Sequence, residues 1–256
     1  MFAGIDWQAP WYEPWGAAGG PVARRIAAGA GVADALNGQG AAVRFVPPSE
    51  LPPGRAYEQF IFERRACPTR DNLHDFFNGL CWIAMPGTKA RLNELQAQQI
   101  AQAGVGAVRG PVRDAITIFD ENGAVLQAPP PLWEALLARQ WRRLFVELRA
   151  LWRQARLTIV GHALLEKLVQ PRKDLTAHVL ALPAPAGPLP QVDRWLAGAL
   201  TPPRLAAKPF APLPVLGVPG WWPENQNFSF YDDSFVFRAA GTKKLKTTAP
   251  PAPPRP

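Results

Sequence analysis

The sequence predicts an α+β protein of mostly helical character with a small β-hairpin or sheet element. Apolar residues recur at helical spacing in several long segments, short β-branched runs are bounded by turn residues, and proline-rich irregular stretches interrupt both. The chain has 256 residues, of which 48% are hydrophobic, enough for one domain with a sizeable core. We expect residues 1–240 to form a single globular domain, in which residues 1–55 wrap a core made by residues 56–240. Residues 241–256 have the composition of a disordered tail.

The segment 71–85 predicts a helix with a wide apolar face and one narrow polar stripe. Thr69 or Asp71 can cap its start, and Pro86-Gly87 ends it. Polar groups are costly on a buried helix, so this stripe is the most site-like feature of the chain. At helical spacing the stripe contains Asp71, His74, Asp75, Asn78 and Trp82.

A second helix is predicted after Pro86-Gly87, with Thr88 as its cap. Its apolar face contains Leu92, Leu95 and Ile100, and another face carries Lys89, Asn93 and Gln96. Two consecutive helices joined by a tight turn would form a helical hairpin.

The clearest β signal lies between residues 115 and 126. Ala115–Phe119 and Ala124–Leu126 flank an Asn122-Gly123 pair, which tolerates the positive φ angles of a tight hairpin turn. On this interpretation Asp120 and Glu121 are turn residues rather than catalysts.

The remaining segments predict a mixture of helix and extended chain. Leucine spacing predicts a helix over 131–153, with arginines on its other side. Leu157–Val160 predicts a strand, and a short helix follows from His162 to Pro171. Residues 175–182 read as strand or extended chain, and residues 202–219 as irregular proline-rich chain.

Charge and cysteine content narrow the class of protein. The net charge of +8 invites nucleic-acid binding, but an arginine-rich composition also follows from a GC-rich genome, and no recognised nucleic-acid module is present. No apolar run approaches the length of a membrane span, and the N-terminal residues lack a secretory signal, so we expect a cytoplasmic protein. Cys67 and Cys81 have the spacing of neither a zinc knuckle nor a redox dithiol, and we expect both to be reduced.

The three histidines stand in suggestive settings. His162 and Glu166 are four residues apart, which places both on one helix face, as a metal site or a His-carboxylate pair requires. Together with His74, Asp75 and His178, they would suffice for a mononuclear site that holds a divalent metal such as zinc or manganese. The alternative is that all three histidines are structural.

The same groups could perform acid/base chemistry without a metal. His74 would transfer a proton while Asp75 or Asn78 fixes the imidazole ring or a ligand. Arg70 or Lys89, with Asn93 beside them, would bind the anionic group of a small substrate. No nucleophile elbow, phosphate loop or dinucleotide fingerprint is present.

Several short motifs between about Tyr57 and Arg238 are shared with a known family. They are Pro68-Thr69-Arg70, His74-Asp75-Phe76-Phe77-Asn78, Arg113-Asp114, Phe119-Asp120-Glu121, Gly161-His162-Ala163-Leu164, Thr176-Ala177-His178, Gly220-Trp221-Trp222 and Phe230-Tyr231-Asp232-Asp233. By these motifs the chain resembles a bacterial family called domain of unknown function 3025. The resemblance implies no activity, cofactor or catalytic residue.

Two hypotheses about function follow from the sequence. The first is a metal-assisted hydrolase that acts on a phosphate- or carboxylate-bearing substrate. The second is a non-enzymatic protein-interaction or nucleic-acid-binding module, in which ten tryptophans, proline-rich segments and a basic face hold a partner and the histidines are structural.

Overall fold

The computed structural model describes residues 2–104, 110–182 and 187–239. Helices predominate in these ranges and two small sheets accompany them, so the predicted α+β class is confirmed. The predicted disordered tail, 241–256, lies outside the described residues. In the described ranges, every helix is too short or too polar to cross a membrane.

The helices are spread along the whole described chain. Short 3-10 turns lie between several of them. The α-helices are α1 (Gly16–Ala27), α2 (Val32–Asn37), α3 (Tyr57–Arg64), α4 (Leu73–Ala84), α5 (Pro86–Ala103), α6 (Pro111–Asn122), α7 (Pro130–Leu137), α8 (His162–Lys167), α9 (Leu189–Ala199) and α10 (Pro202–Ala206).

The larger sheet has four strands in the order β4-β3-β5-β6. Strand β3 pairs antiparallel with β4 and parallel with β5, and β5 pairs antiparallel with β6. A smaller parallel sheet joins β1 to β2. The strands are β1 (Arg44–Val46), β2 (Ala66–Pro68), β3 (Gly123–Gln127), β4 (Arg156–Ile159), β5 (Thr176–Ala181) and β6 (Ala211–Pro214).

The predicted hairpin over residues 115–126 was wrong, because its first half is the helix α6. Pro111 begins α6, where its missing N–H costs nothing, and the apolar residues repeat at helical spacing on one buried face. Gly123 has a φ of −72°, so the chain passes from α6 directly into β3 without a tight primed turn. The buried face contains Val112, Ala115, Ile116 and Phe119.

Two further predictions need correction. The helix expected over 131–153 is interrupted after α7, where Arg139 takes a φ of 51°, and it continues as a π-helical turn and a 3-10 helix. The segment 202–219, expected to be irregular, contains α10 and β6. Strand β6 lies at the sheet edge, where prolines are tolerated because no further strand needs their missing N–H groups.

Helices α4 and α5 form where the sequence predicts them, but the predicted caps, Thr69 or Asp71 for α4 and Thr88 for α5, were wrong. Asn72 caps α4 by accepting the backbone N–H of Asp75 at 2.8 Å. Helix α5 begins one turn earlier than a Thr88 cap would require. Its first N–H groups, from Gly87 and Thr88, donate to the carboxylate of Asp193 in α9.

The N-terminal segment contributes large side chains to the core. Trp15 is fully buried and its Nε1 donates to the carbonyl of Ile159 in β4. Tyr12 stacks on Phe77 of α4, with ring centroids 5.7 Å apart. Helix α4 is therefore covered by aromatic residues on one side, while its first turn faces a cavity.

Candidate metal centre

Three helix ends meet at one point of the fold. His74 is in the first turn of α4, Glu121 is next to last in α6, and His162 begins α8. The Asn72 cap fixes the start of α4 and therefore the direction in which His74 projects. The backbone at Gly161 passes so close to the end of α6 that a Cβ there would lie 2.5 Å from the carbonyl oxygen of Glu121. Close packing thus holds α8 against α6.

The side chains of these three residues converge. The Nε2 atoms of His74 and His162 are 3.2 Å apart, and a carboxylate oxygen of Glu121 is 3.8 Å from the same His162 atom. One donor atom from each residue lies within 4.8 Å of the other two. In a tetrahedral site with Zn–N bonds of about 2.0–2.1 Å, neighbouring donors are about 3.3 Å apart. The two histidine nitrogens therefore have the spacing of neighbouring ligands of one metal ion, and the Glu121 oxygen lies somewhat farther away.

Each histidine turns its other nitrogen toward a carboxylate. Nδ1 of His74 is 2.9 Å from Glu166, and Nδ1 of His162 is 3.7 Å from Asp120. A carboxylate only accepts hydrogen bonds, so Glu166 favours the His74 tautomer with the proton on Nδ1, whereas Nδ1 of His162 is buried without a hydrogen-bond partner among the described residues. Nε2 of His74 then directs its lone pair at Nε2 of His162 across 3.2 Å. A proton on Nε2 of His162, or a cation bound between the two nitrogens, satisfies that lone pair.

Burial determines the protonation state of His162. Burial lowers the pKa of His162 to about 4; Asp120 opposes this shift, and Lys89 and His74 add to it. His162 is therefore neutral at pH 7, the form that binds metals. Burial, reinforced by repulsion from Asp120, raises the pKa of Glu121.

A buried ion pair lies behind His162. Nζ of Lys89 is 2.7 and 2.9 Å from the two carboxylate oxygens of Asp120. Burial alone would raise the pKa of Asp120, but attraction to Lys89 and His162 outweighs it and lowers that pKa. Burial alone would lower the pKa of Lys89, but Asp120 holds it above its ordinary value. The pair therefore stays ionised.

Two adjoining cavities give access to the donor set. The outer cavity, about 450 Å³, is lined by His74, Asp75, Arg70 and His162, among others. The inner cavity, about 330 Å³, extends between α3, α5 and α6. The wall that they share contains Tyr57, Glu58, Asn78, Asp120 and Glu121.

Comparison with known proteins identifies the family but no activity. The family model described as "Protein of unknown function (DUF3025)" matches residues 43–240, most of the chain. The chain belongs to the DUF3025 family. His74, Glu121 and His162 all lie inside the matched range. No curated protein and no solved structure matches the chain.

The four metal ligands predicted for this DUF3025 member have different positions. His74 and His162 are both in the donor set. Glu166 contacts the opposite nitrogen of His74, so it would orient a ligand rather than bind the metal itself. His178 lies on β5 between Gly123 and Pro212 and is outside the donor set.

The two residues predicted to assist His74 in catalysis, Asp75 and Asn78, both form hydrogen bonds with other side chains. Asp75 accepts Nε and Nη2 of Arg70 at 3.0 and 2.9 Å, and also the backbone N–H of Arg70 at 2.6 Å. Asn78 donates to the Tyr57 hydroxyl at 3.3 Å and lines both cavities.

The predicted substrate contacts are also partnered. Arg70 pairs with Asp75, but its side chain is 64% exposed at the outer cavity. Lys89 is buried and occupied by Asp120. Asn93 donates from Nδ2 to the backbone and carboxylate oxygens of Glu58, both at 2.7 Å. Their roles as substrate contacts stay predictions.

Sequence reasoning missed Glu121, because the Asn122-Gly123 pair suggested a hairpin turn there. The signal that could have found it is the helical spacing of Val112, Ile116 and Phe119 after Pro111. This spacing places Asp120 and Glu121 in the last turn of a helix that ends beside α8.

Proposed function

We propose that this protein is a metal-assisted hydrolase that holds zinc or manganese between His74, His162 and Glu121. The substrate class that we propose carries a phosphate or carboxylate group. The observation that carries this proposal is the 3.2 Å separation of two Nε2 atoms whose Nδ1 atoms both face carboxylates. A divalent cation bound there would take the Nε2 lone pairs of both histidines as ligands.

The donor set suits hydrolysis. Two histidines and one carboxylate leave further coordination positions free for water or substrate, as in catalytic zinc sites. A metal in this position would polarise a substrate oxygen and lower the pKa of a bound water molecule. The outer cavity, which His74, His162 and Glu121 all line, gives a small molecule access to that position.

Other residues support this chemistry through defined contacts. Glu166 orients the His74 ring by accepting from Nδ1, and Asp120 lies 3.7 Å from Nδ1 of His162, beyond hydrogen-bond distance. Glu58 lines both cavities and is oriented by Asn93, which makes it our candidate for proton transfer. Arg70, exposed at the outer cavity, is the better placed of the two predicted anion contacts.

The test is metal content, measured by inductively coupled plasma mass spectrometry on untagged protein after zinc and manganese are supplied. We expect near-stoichiometric metal in the wild type and its loss in His74→Ala, His162→Ala and Glu121→Gln. His178→Ala is the matched control, because this histidine lies outside the donor set. Metal retained in the control and lost in the three folded variants would justify a screen of phosphate and carboxylate esters.

A folded wild type without metal would overturn this proposal. The pair of Nε2 atoms would then share a proton, and Glu166, His74 and His162 would form a structural hydrogen-bond network. That result would favour the protein-interaction or nucleic-acid-binding module.

A further inference from the structure

Arg113 is a buried cation at the wall of the inner cavity. Its exposed fraction is 8%, and it lines the inner cavity. None of the carboxylates in the described ranges forms an ion pair with it, and segments 105–109, 183–186 and 240–256 contain no Asp or Glu. A buried charge is costly unless a ligand or a counter-ion neutralises it.

Helix stability does not explain this arginine. Arg113 is the third residue of α6, where a cation opposes the helix dipole. Its Nη1 reaches the carbonyl of Gly104, at the end of α5, over 3.4 Å, a long hydrogen bond. Its Nε is buried and has no hydrogen-bond partner among the described residues. The side chain thus keeps donor capacity next to the inner cavity.

Two acceptors line the same cavity. Asn93 uses Nδ2 for both contacts to Glu58, which fixes the amide and leaves Oδ1 buried without a donor in the described structure. Gln96, one turn along α5, likewise has a buried Oε1 without a donor. Asn93 and Gln96 are both more than nine-tenths buried. Glu58, Asp120 and Glu121 also line this cavity, but Asp120 is paired with Lys89, and burial raises the pKa of Glu58 and of Glu121. The groups left unsatisfied match a ligand with a negative charge for Arg113 and an O–H or N–H group for the two amides.

We propose that the inner cavity binds the carboxylate end of a small acid that carries a hydroxyl or amino group beside the carboxylate. Arg113 binds the carboxylate, and Asn93 Oδ1 and Gln96 Oε1 accept from the neighbouring donor. A phosphate fits less well, because at pH 8 it presents at most one O–H group among several acceptor oxygens to the two amide oxygens. Ile61, Leu92 and Ile116 cover the carbon skeleton of the acid.

This binding site would place the acid beside the donor set, because Glu121 lines both cavities. The claim that this acid is part of the substrate rests on the proposed function. The claim that the cavity binds the acid is independent of it, because neither Arg113 nor the two amides belong to the metal donors. The test can therefore be made on metal-free protein.

The experiment is saturation-transfer-difference NMR titration of chelator-treated protein at pH 8 with L-lactate, propionate, lactamide and inorganic phosphate. We expect L-lactate to bind most tightly, since propionate lacks the hydroxyl and lactamide lacks the charge. Arg113→Gln should weaken lactate about tenfold or more, the loss of one charge-assisted contact. Arg142→Gln, at an exposed arginine, is the matched control.

Gln96→Met tests the donor contact separately, and we expect it to remove the preference for lactate over propionate. If Arg113→Gln does not fold, Arg113→Lys replaces it, and lactate should again bind more weakly because the planar fork is lost. Lactate affinity unchanged in the folded Arg113 variant would overturn the proposal. So would a wild type that binds none of the four compounds or prefers phosphate. A wild type that binds lactate but takes up no metal would refute only the proposed hydrolase.

Discussion

His74 and His162 are 88 residues apart in the sequence, yet their Nε2 atoms are separated by only 3.2 Å. Their rings meet edge to face, with centroids 4.7 Å apart. Each ring has a carboxylate on its far side, and our proposal places a cation between the two rings. The predictions below test what holds this arrangement and what it binds.

We expect Glu166→Gln to weaken metal binding about 10- to 100-fold, because the Nδ1 atom of His74 would lose the carboxylate that fixes its tautomer. Chelator competition measures the affinity. Glu224→Gln, in a 3-10 helix remote in sequence from the donor set, serves as the control. Equal affinity in the wild type and Glu166→Gln would show that this carboxylate has no positioning role.

Acidification should destabilise the metal-free protein because of His162. Its pKa falls from 6.5 to about 4 on folding, so the unfolded chain binds more protons between these values. Stability from this group is complete above pH 6.5 and decreases as the pH falls toward 4, by roughly 1 kcal/mol per pH unit. Urea unfolding of the wild type and His162→Gln at several pH values measures the difference. Parallel profiles would contradict the assignment.

Removing one partner of the Lys89–Asp120 pair should be strongly destabilising. Lys89→Met leaves the largely buried Asp120 carboxylate without its cation, and we expect a loss of about 3–5 kcal/mol in unfolding free energy. The double variant with Asp120→Asn should lose less than the sum of the single variants, since the two side chains interact directly. Additive losses in a double-mutant cycle would show that the pair contributes little.

Gly161→Ala should disturb the donor set without changing any donor. The new Cβ would lie 2.5 Å from backbone atoms of Glu121, Asn122 and Gly123, which cannot yield as a flexible side chain would. We expect a lower melting temperature and weaker metal binding. Gly198→Ala, where a Cβ meets open space in α9, should instead be neutral or stabilise by up to about 1 kcal/mol. Similar effects of both substitutions would show that close packing at Gly161 is unimportant.

The local sequence pattern predicted most of the helices and strands that form the site, but it did not predict which of them are in contact. The apolar spacing and the proline boundary located α4, and the strand before Gly161 located β4 and α8. Periodicity gives no information about contacts between residues 88 positions apart. The sequence could therefore suggest that His74 and His162 share a site, but it could not show their contact or exclude His178 from that site. The Asn122-Gly123 pair wrongly suggested a hairpin turn, because the preference of these residues for turns is a local property. Helix α6 is instead stabilised by its buried face, which packs on the sheet and on α8.

The position of the donors at helix ends has a consequence for how the protein responds to heat. Helix ends fray before helix centres, because fewer hydrogen bonds hold them. His74 depends on the Asn72 cap, and Glu121 and His162 depend on the tight junction at Gly161. Warming should therefore separate the three donor side chains while the aromatic core around Trp15 and Phe77 is still folded. A metal ion bound to all three donors would delay that separation.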